Sequence, residues 1–330
     1  MNLSHIKSIL HSYHKKKAST LIDRFSDIAG NQFAGEFNVS GFHNQILALP
    51  NNPQSIYGVD RCLRIQEVPD QLHAHLFHMA IFAKSIDLQE NFVDPFRDDR
   101  FCQLQKDVIS QFLEVLSLFK VNLSNVEITY LDGLTFGGVP DGRSRLLKRK
   151  YTFPPDVCSK KLLKSTVKLF PIKTIANLDI NAEEGSLVGP RLEIAYNGIE
   201  IGTIVFDCFK IQHGKLKPIN YVSGYAIGIE RLAAALENRE LIKTIPRYIQ
   251  AAKLLAKSSK PAESSLFRKE VLTIIFTAEA IAMIPDKLSE KQRERLRKLK
   301  NGTKAELTNL GIDENIFVSL ISFFKKCKYL

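Results

Sequence analysis

The chain has 330 residues, of which 45% are hydrophobic and 25% are charged, as in an ordinary folded globular protein. No apolar run approaches the ~18 residues of a membrane-spanning helix, and the N-terminus lacks the pattern of a secretory signal. Five cysteines lie far apart without a C-x-x-C pair, which argues against a disulfide framework or a structural zinc site and favours a reducing compartment. We therefore expect a cytoplasmic protein with no membrane contact.

The net charge of +11 is concentrated in two segments. Residues 143–173 contain ten Lys or Arg and one acid, and residues 289–304 contain seven Lys or Arg and two acids. Two basic patches on a near-neutral body suggest contact with a polyanion such as a nucleic acid. The alternative is two solvated lysine-rich faces.

In the first half of the chain, apolar spacing predicts a helix within residues 1–35 and mostly strands and turns over 37–86, including a strand at 73–83. An amphipathic helix is expected at 102–119 and a strand at 125–133, ending in an Asp-Gly turn. Residues 134–182 carry many turn signals and the densest basic run. We interpret them as a surface insertion with a short helix near Ser159 to Leu169.

In the second half, strands are expected at 191–198 and 199–211, joined by the hairpin signal Asn197-Gly198. The stretch "NYVSGYAIGIERLAAALEN" (220–238) predicts a strand over 221–227, a turn at Gly228 and a helix from Ile229. Helices are then expected at 246–257, 264–284, 289–300 and 313–327, with prolines between them.

This order predicts an α+β fold, in which an antiparallel sheet flanked by helices precedes a C-terminal helical domain. We place the domains at residues 1–240, with the basic insertion at about 134–182, and at residues 241–330. The Rossmann and P-loop fingerprints are absent from the sequence, so a bound nucleotide would have to lie on an antiparallel sheet.

Arg231 lies in the first turn of the predicted helix after Gly228. Outward-pointing backbone amides and a guanidinium together favour phosphate oxygens, and the glycines allow a close ligand approach. The alternative is a buried strand-to-helix junction in which Arg231 pairs with an acid such as Glu230.

A second group of residues lies in the predicted strand–loop–strand segment that begins near Asp60. Arg64 lies near the end of the first strand, Glu67 lies in the loop, and Phe77 is on one face of the second strand with His73 and His75. An arginine beside an aromatic ring suits a nucleotide. Core packing of Phe77 and a metal site at the two histidines are the alternatives.

Three segments carry a family resemblance: "RIQEVPDQLHAHLFHMAIFAKSIDLQE" (64–90), "RLEIAYNGIEIGTIVFDCFKIQHGKLKP" (191–218) and "INYVSGYAIGIERLAAAL" (219–236). They resemble motif 2, the following hairpin and motif 3 of class II aminoacyl-tRNA synthetases. The nearest likeness is to the catalytic domains of alanyl-tRNA synthetase and of the α subunit of bacterial glycyl-tRNA synthetase. The resemblance covers roughly residues 40 to 240, with gaps.

The resemblance implies a ligase that joins an amino acid to ATP as an adenylate and transfers it to tRNA. Arg64 would hold the ATP α-phosphate, Phe77 would stack on the adenine, and Arg231 would bind at the γ-phosphate. Glu200 and Glu67 would bind Mg²⁺ or the nucleotide. The amino-acid side of the pocket would be lined by Glu193, Thr203, Val205 and Gly224. By kinship the amino acid would be alanine or glycine.

The sequence departs from the alanyl pattern at Gly224, where that family has an Asp that holds the substrate amino group. Two further hypotheses follow. One is a stand-alone ligase that loads a carrier protein, a peptide or a small molecule, and the other is a non-catalytic paralogue that binds RNA or a synthetase. For the enzyme itself we expect ATP and Mg²⁺, tRNA bound through segments 143–173 and 289–304, and a possible homodimer.

Overall fold

The computed structural model describes residues 3–22, 43–61, 78–88, 93–139, 142–180, 184–237, 246–256, 269–283 and 290–327. Within these ranges the strands are β1 (Thr20–Leu21), β2 (Ser55–Arg61), β3 (His78–Ser85), β4 (Val126–Gly137), β5 (Lys150–Pro155), β6 (Lys168–Ile172), β7 (Leu178–Asp179), β8 (Leu187–Tyr196), β9 (Ile199–Gln212) and β10 (Lys215–Gly228). The helices are α1 (Leu3–Lys16), α2 (His43–Ala48), α3 (Asp99–Leu118), α4 (Val157–Leu163), α5 (Ile229–Leu236), α6 (Pro246–Ala256), α7 (Lys269–Met283), α8 (Glu290–Asn309) and α9 (Glu314–Lys326).

The strands form one sheet in the order β1-β2-β3-β10-β9-β8-β4-β5, with β6 paired to β4 and β7 paired to β8. The β1–β2 and β4–β6 pairs are parallel and the other pairs are antiparallel. Helices flank this sheet, and a helical region follows it at the C-terminus. The predicted α+β architecture is confirmed.

Two tight turns connect the three long central strands. Asn197 and Gly198 join β8 to β9 with φ of 50° and 76°, and His213 and Gly214 join β9 to β10 with φ of 51° and 73°. Paired positive φ values match the right-handed twist of the strands, and Asn-Gly adopts them at little cost. The hairpin predicted at Asn197-Gly198 is confirmed.

The two faces of the central strands have different surroundings. Ile204 and Phe206 of β9 are fully buried in the main core with residues of α1, α3 and α5. Because side chains alternate along a strand, Thr203 and Val205 point to the opposite face, where both are partly exposed. We call this second face of β3, β10, β9 and β8 the site face.

A separate apolar cluster joins the C-terminal helices. It contains Tyr248 of α6, Phe276 of α7 and Phe324 of α9, all fully buried. Ala234 of α5 also belongs to it, so the helix after the sheet contributes to both cores. The domain boundary near residue 240 falls outside the described residues and stays a prediction.

The sequence interpretation of the first half needs three corrections. A short helix, α2, occupies part of the range expected to hold strands and turns. The predicted turn at Asp132-Gly133 is wrong, because β4 continues through it and exchanges its earlier partners for β5. The segment 134–182 is not a surface excursion, since β5, β6 and β7 join the sheet and Phe136, Phe153 and their neighbours form a buried cluster.

The absence of disulfides expected from the cysteine spacing is also wrong. Cys102 of α3 and Cys158 of α4 form a disulfide across 56 residues of sequence. Helix packing brings the two together, and sequence spacing alone could not show this. Cys208 and Cys327 are free thiols.

Candidate functional site

Four residues predicted for one pocket, Glu193, Thr203, Val205 and Gly224, are neighbours on three adjacent strands. Thr203 of β9 is directly opposite Glu193 of β8, and Val205 is directly opposite Gly224 of β10. Because the two rows are two residues apart on β9, all four lie on the site face. The structure thus brings together the side chains that the sequence assigned to an amino-acid pocket.

The polar groups in this area are already held by local contacts. The Thr203 hydroxyl donates to the Leu192 carbonyl at 2.9 Å, and the Glu193 carboxylate forms an ion pair with Arg191. The Arg191 side chain is 21% exposed and the Glu193 side chain is 24% exposed. A polar ligand could therefore reach this ion pair from solvent.

No side chain fits at Gly224. A Cβ atom there would lie 2.3 Å from the Phe82 carbonyl oxygen and 3.0 Å from the Ala83 Cα. The β3 and β10 backbones are too close at this point for any residue but glycine. An aspartate at 224 would push the two strands apart.

Arg231 and Glu200 form the second group of site residues. Gly228 ends β10, α5 starts at Ile229, and Arg231 lies in the first turn, as predicted. Its Nη1 donates to Glu200 Oε1 at 2.9 Å, so two residues assigned to the ATP end of the site are in contact. The Arg231 side chain is 3% exposed, whereas that of Glu200 is 41% exposed.

Glu230 has a different partner from the one considered in the sequence interpretation. It turns inward and accepts hydrogen bonds from the His78 backbone N–H at 3.0 Å and from His78 Nδ1 at 2.6 Å. Burial raises the pKa of Glu230, but the charge and hydrogen bonds of His78 and the charge of Arg247 together lower it to about 2. Glu230 thus connects the start of α5 to the start of β3.

Arg247 connects this buried acid to the helical region. Its Nη2 lies 3.6 Å from Glu230 Oε1, and its Nε donates to Glu279 Oε1 at 2.8 Å. Burial raises the pKa of Glu279 to about 7, against the lowering effect of the Arg247 charge. Two buried glutamates therefore share one arginine, but their pKa values move in opposite directions.

Asp207 is a site-face residue that the sequence interpretation missed. It lies two residues beyond Val205 on β9, is 1% exposed, and has a carboxyl oxygen, Oδ1, that finds no hydrogen-bond partner among the residues that the structure describes. Burial, and then the charge of Asp179, raise the pKa of its carboxyl well above the ordinary value. The only signal in the sequence was an acid in the apolar run "IVFDCF".

Three predicted site residues, Arg64, Glu67 and Phe77, lie outside the described residues, as do His73 and His75. The two strands that flank their segment are present, because β2 and β3 pair antiparallel from Ser55–Lys84 to Arg61–His78. Their roles stay predictions. Among the residues that the structure describes, no three His, Cys, Asp or Glu side chains come together as a metal site.

The basic side chains of both segments are exposed wherever the structure describes them. All ten Lys and Arg of residues 143–173 are exposed; they lie on β5, α4 and β6 and in the segments before, between and after these elements. Arg149 lies over the Tyr151 ring at 5.0 Å, which places a cation and an aromatic ring side by side. The second segment falls on α8, where Arg293, Arg297 and Lys300 are exposed. None of the described helices is long and apolar enough to cross a membrane.

Comparison with known proteins gives only distant likenesses. No protein-family model matches the sequence, and no curated protein matches it. Among solved structures, the chain is similar to a pyrrolysyl-tRNA synthetase from Desulfitobacterium hafniense, with 11% identity over 73% of this chain and 72% of that one and a TM-score of 0.41. It is also similar to a histidine–tRNA ligase subunit from Alicyclobacillus acidocaldarius, with 9% identity over 72% of this chain and 93% of that one and a TM-score of 0.39. Likenesses this distant do not identify a function.

Proposed function

We propose that the protein is an ATP-dependent ligase of the class II aminoacyl-tRNA synthetase type, which forms an aminoacyl adenylate and transfers the amino acid to tRNA. The observation that carries the proposal is the Arg231–Glu200 pair at the β10–α5 junction. Arg231 lies in a segment that resembles motif 3, and Glu200 lies near the start of the strand that also carries Thr203 and Val205. A phosphate-binding guanidinium would thus contact the strand that carries the amino-acid pocket.

The chemistry fits these groups. Attack of a carboxylate on the ATP α-phosphate brings negative charges together, so it requires positioning and charge neutralisation more than covalent help. Arg231 supplies a planar cation that can bind phosphate oxygens with two hydrogen bonds. Its fixed orientation lowers the conformational entropy lost on binding.

Glu200 suits a magnesium ion that arrives with the nucleotide. Mg²⁺ in such sites is usually held by one or two carboxylates together with substrate phosphates, so a preformed cluster of acids is not needed. Glu200 is the described carboxylate beside Arg231, and its exposed side chain is accessible to solvent. When bound, Mg²⁺ would supply further charge neutralisation at the phosphates.

The amino-acid side favours a small substrate. Ala226 provides little side-chain bulk beside Thr203, no side chain fits at Gly224, and Glu193 supplies a charge at the edge. Alanine and glycine, the substrates of the families that the sequence resembles, fit this description. The proposal includes the roles predicted for Arg64, Glu67 and Phe77 in binding ATP.

The acceptor that best fits the surface charge is tRNA. Exposed basic residues on 143–173 would neutralise phosphates, and the second segment, 289–304, would extend this contact along α8. A cytoplasmic location and a homodimer remain part of the proposal.

The test is amino-acid-dependent exchange of pyrophosphate into ATP, measured with each of the twenty amino acids. The proposal predicts exchange with one or a few small amino acids, followed by charging of total tRNA in an acid-gel shift. Exchange without tRNA charging would indicate a different acceptor. No exchange with any amino acid would contradict adenylate formation.

A further inference from the structure

Three lysines lie beside the turn between β9 and β10, outside both basic segments of the sequence. Lys215 and Lys217 of β10 are exposed, and Lys210 of β9 is half-buried. Lys217 is directly opposite Lys210, and like charges in that position destabilise an antiparallel pair. Since side chains alternate along a strand, Lys215 is on the same face as Lys217. The pairing therefore concentrates three positive charges on one face of the hairpin.

The first basic segment contacts this turn directly. The Lys148 backbone N–H donates to the Gly214 carbonyl at 3.1 Å, and the Leu216 N–H donates to the Tyr151 hydroxyl at 3.0 Å. A Cβ atom on Gly214 would lie 2.9 Å from Lys148 Cε, so the Lys148 side chain lies across the turn. Two parts of the chain that are distant in sequence therefore form one surface, and their backbones are held in place by hydrogen bonds.

We call the hairpin surface the area formed by four lysines: Lys148, Lys210, Lys215 and Lys217. None of the four forms an ion pair with an acid among the residues that the structure describes. Glu184 lies at the same turn, but it accepts a hydrogen bond from the His213 backbone N–H. Positive charges held close together without acidic partners favour a polyanion as the ligand.

An arginine stacked on a tyrosine lies next to the hairpin surface. Arg149 lies 5.0 Å from the centre of the Tyr151 ring, and its Nε donates to the Tyr151 hydroxyl at 2.9 Å. RNA-binding proteins stack unpaired bases on aromatic rings and on guanidinium planes, and they hold the RNA backbone with positive charge. No large hydrophobic side chain is exposed at residues 146–151 or 210–217, whereas a protein partner usually requires an apolar centre. These features favour RNA over a protein.

We propose that the hairpin surface binds the phosphate backbone of an RNA, and this inference rests on the tRNA acceptor in the proposed function. Lys215 and Lys217 are two residues apart on one strand and thus ~7 Å apart, which suits consecutive phosphates of one RNA strand. Glu200 lies near the opposite end of β9 from Gln212, up to about 40 Å away. A ligand that contacts both the hairpin surface and the predicted ATP site must therefore be a polymer.

The test measures the binding of total tRNA to the full chain over a range of salt concentrations. The variant combines Lys210→Gln, Lys215→Gln and Lys217→Gln. Loss of three phosphate contacts should raise the Kd at least about tenfold at ~100 mM salt and reduce the slope of log affinity against log salt by about 2–3. The free energy of unfolding should stay equal or rise, because the opposed lysine pair is removed.

The matched control combines Lys15→Gln, Lys16→Gln and Lys106→Gln. It removes the same three charges from exposed positions on α1 and α3. Because charges more than ~10 Å apart are largely screened at this salt concentration, the control should keep the Kd within about twofold of the wild type and leave the salt slope unchanged.

A competition measurement distinguishes RNA from an acidic polypeptide. Polyglutamate with as many negative charges as the tRNA should displace labelled tRNA from the wild-type chain less effectively than unlabelled tRNA does, because it offers no bases to stack. Equal displacement by the two competitors would overturn RNA as the partner.

The remaining outcomes separate this inference from the ligase proposal, because pyrophosphate exchange requires no tRNA. If the wild-type chain binds tRNA but the hairpin variant has the same Kd and salt slope, or the control weakens binding equally, the role of the hairpin surface is overturned and the ligase proposal stands. If the wild-type chain binds no tRNA, the hairpin surface and the tRNA acceptor are both overturned, while pyrophosphate exchange still decides adenylate formation.

Discussion

The two buried glutamates that share Arg247 should respond in opposite ways to loss of charge. Glu230→Gln removes a fully buried carboxylate that accepts two hydrogen bonds from His78 and faces Arg247 at 3.6 Å. Breaking a buried ion pair from one side costs about 3–5 kcal/mol. We therefore expect Glu230→Gln to lower the free energy of unfolding at pH 8 by about that amount.

Glu279→Gln is the matched comparison, because it changes the other acid that contacts the same guanidinium. Its folded-state pKa of about 7 lies above the ordinary value of 4.5, so the stability linked to its protonation is present below pH 4.5 and is lost as the pH rises through 7. Between pH 5 and pH 8 this loss amounts to roughly 2–3 kcal/mol. In the Glu279→Gln variant this loss of unfolding free energy between pH 5 and pH 8 should disappear. The free energy of unfolding of the variant at pH 8 should not be lower than that of the wild type.

The assay is urea unfolding of the full chain and both variants at pH 5 and pH 8, with the m-value recorded. Glu230→Gln should retain a pH-dependent loss because its Glu279 is intact. Equal stability of Glu230→Gln and the wild type at pH 8 would refute the account of a buried, ionised Glu230. Identical pH profiles of the wild type and Glu279→Gln would refute the assignment of the raised pKa.

Three further outcomes follow from the structure. Gly224→Ala should destabilise the fold by about 1–3 kcal/mol or more because its Cβ meets the Phe82 carbonyl, whereas Gly302→Ala, in open space on α8, should stabilise it by about 1 kcal/mol in the same thermal unfolding assay. Non-reducing mass spectrometry should show the Cys102–Cys158 disulfide, and its reduction should lower the melting temperature. Replacing Lys161 of α4 and Lys164, the residue that caps the C-terminus of α4, by glutamine should weaken tRNA binding and reduce the slope of log affinity against log salt by about 1 for each lost phosphate contact.

Local signals in the sequence predicted the centre of the fold well. Asn197-Gly198 fixes a hairpin through its own backbone preferences, and the Gly228–Ile229 junction follows from a change of apolar period. These features depend on neighbouring residues alone. The placement of Thr203 and Val205 on one face follows from the alternation of side chains along a strand, whereas Glu193 lies opposite Thr203 only because of the register shift between Ile194 and Ala195.

Features that depend on distant residues could not be predicted in this way. Asp132-Gly133 reads as a turn, and only the presence of β5 as a pairing partner keeps it inside a strand. Glu230 pairs with His78, 152 residues away in sequence, and Asp207 is notable only because its buried Oδ1 has no hydrogen-bond partner among the described residues. Pairing and desolvation are properties of the folded chain.

The central claim is that Arg231 binds ATP for adenylate formation. The most direct measurement is amino-acid-dependent pyrophosphate exchange by Arg231→Met, which keeps the side-chain bulk and removes the charge, beside the exposed control Arg97→Met. The account predicts at least about a hundredfold loss of exchange for Arg231→Met, as for a lost electrostatic contact to the transition state, and wild-type exchange for Arg97→Met. Wild-type exchange by a folded Arg231→Met variant would contradict the claim.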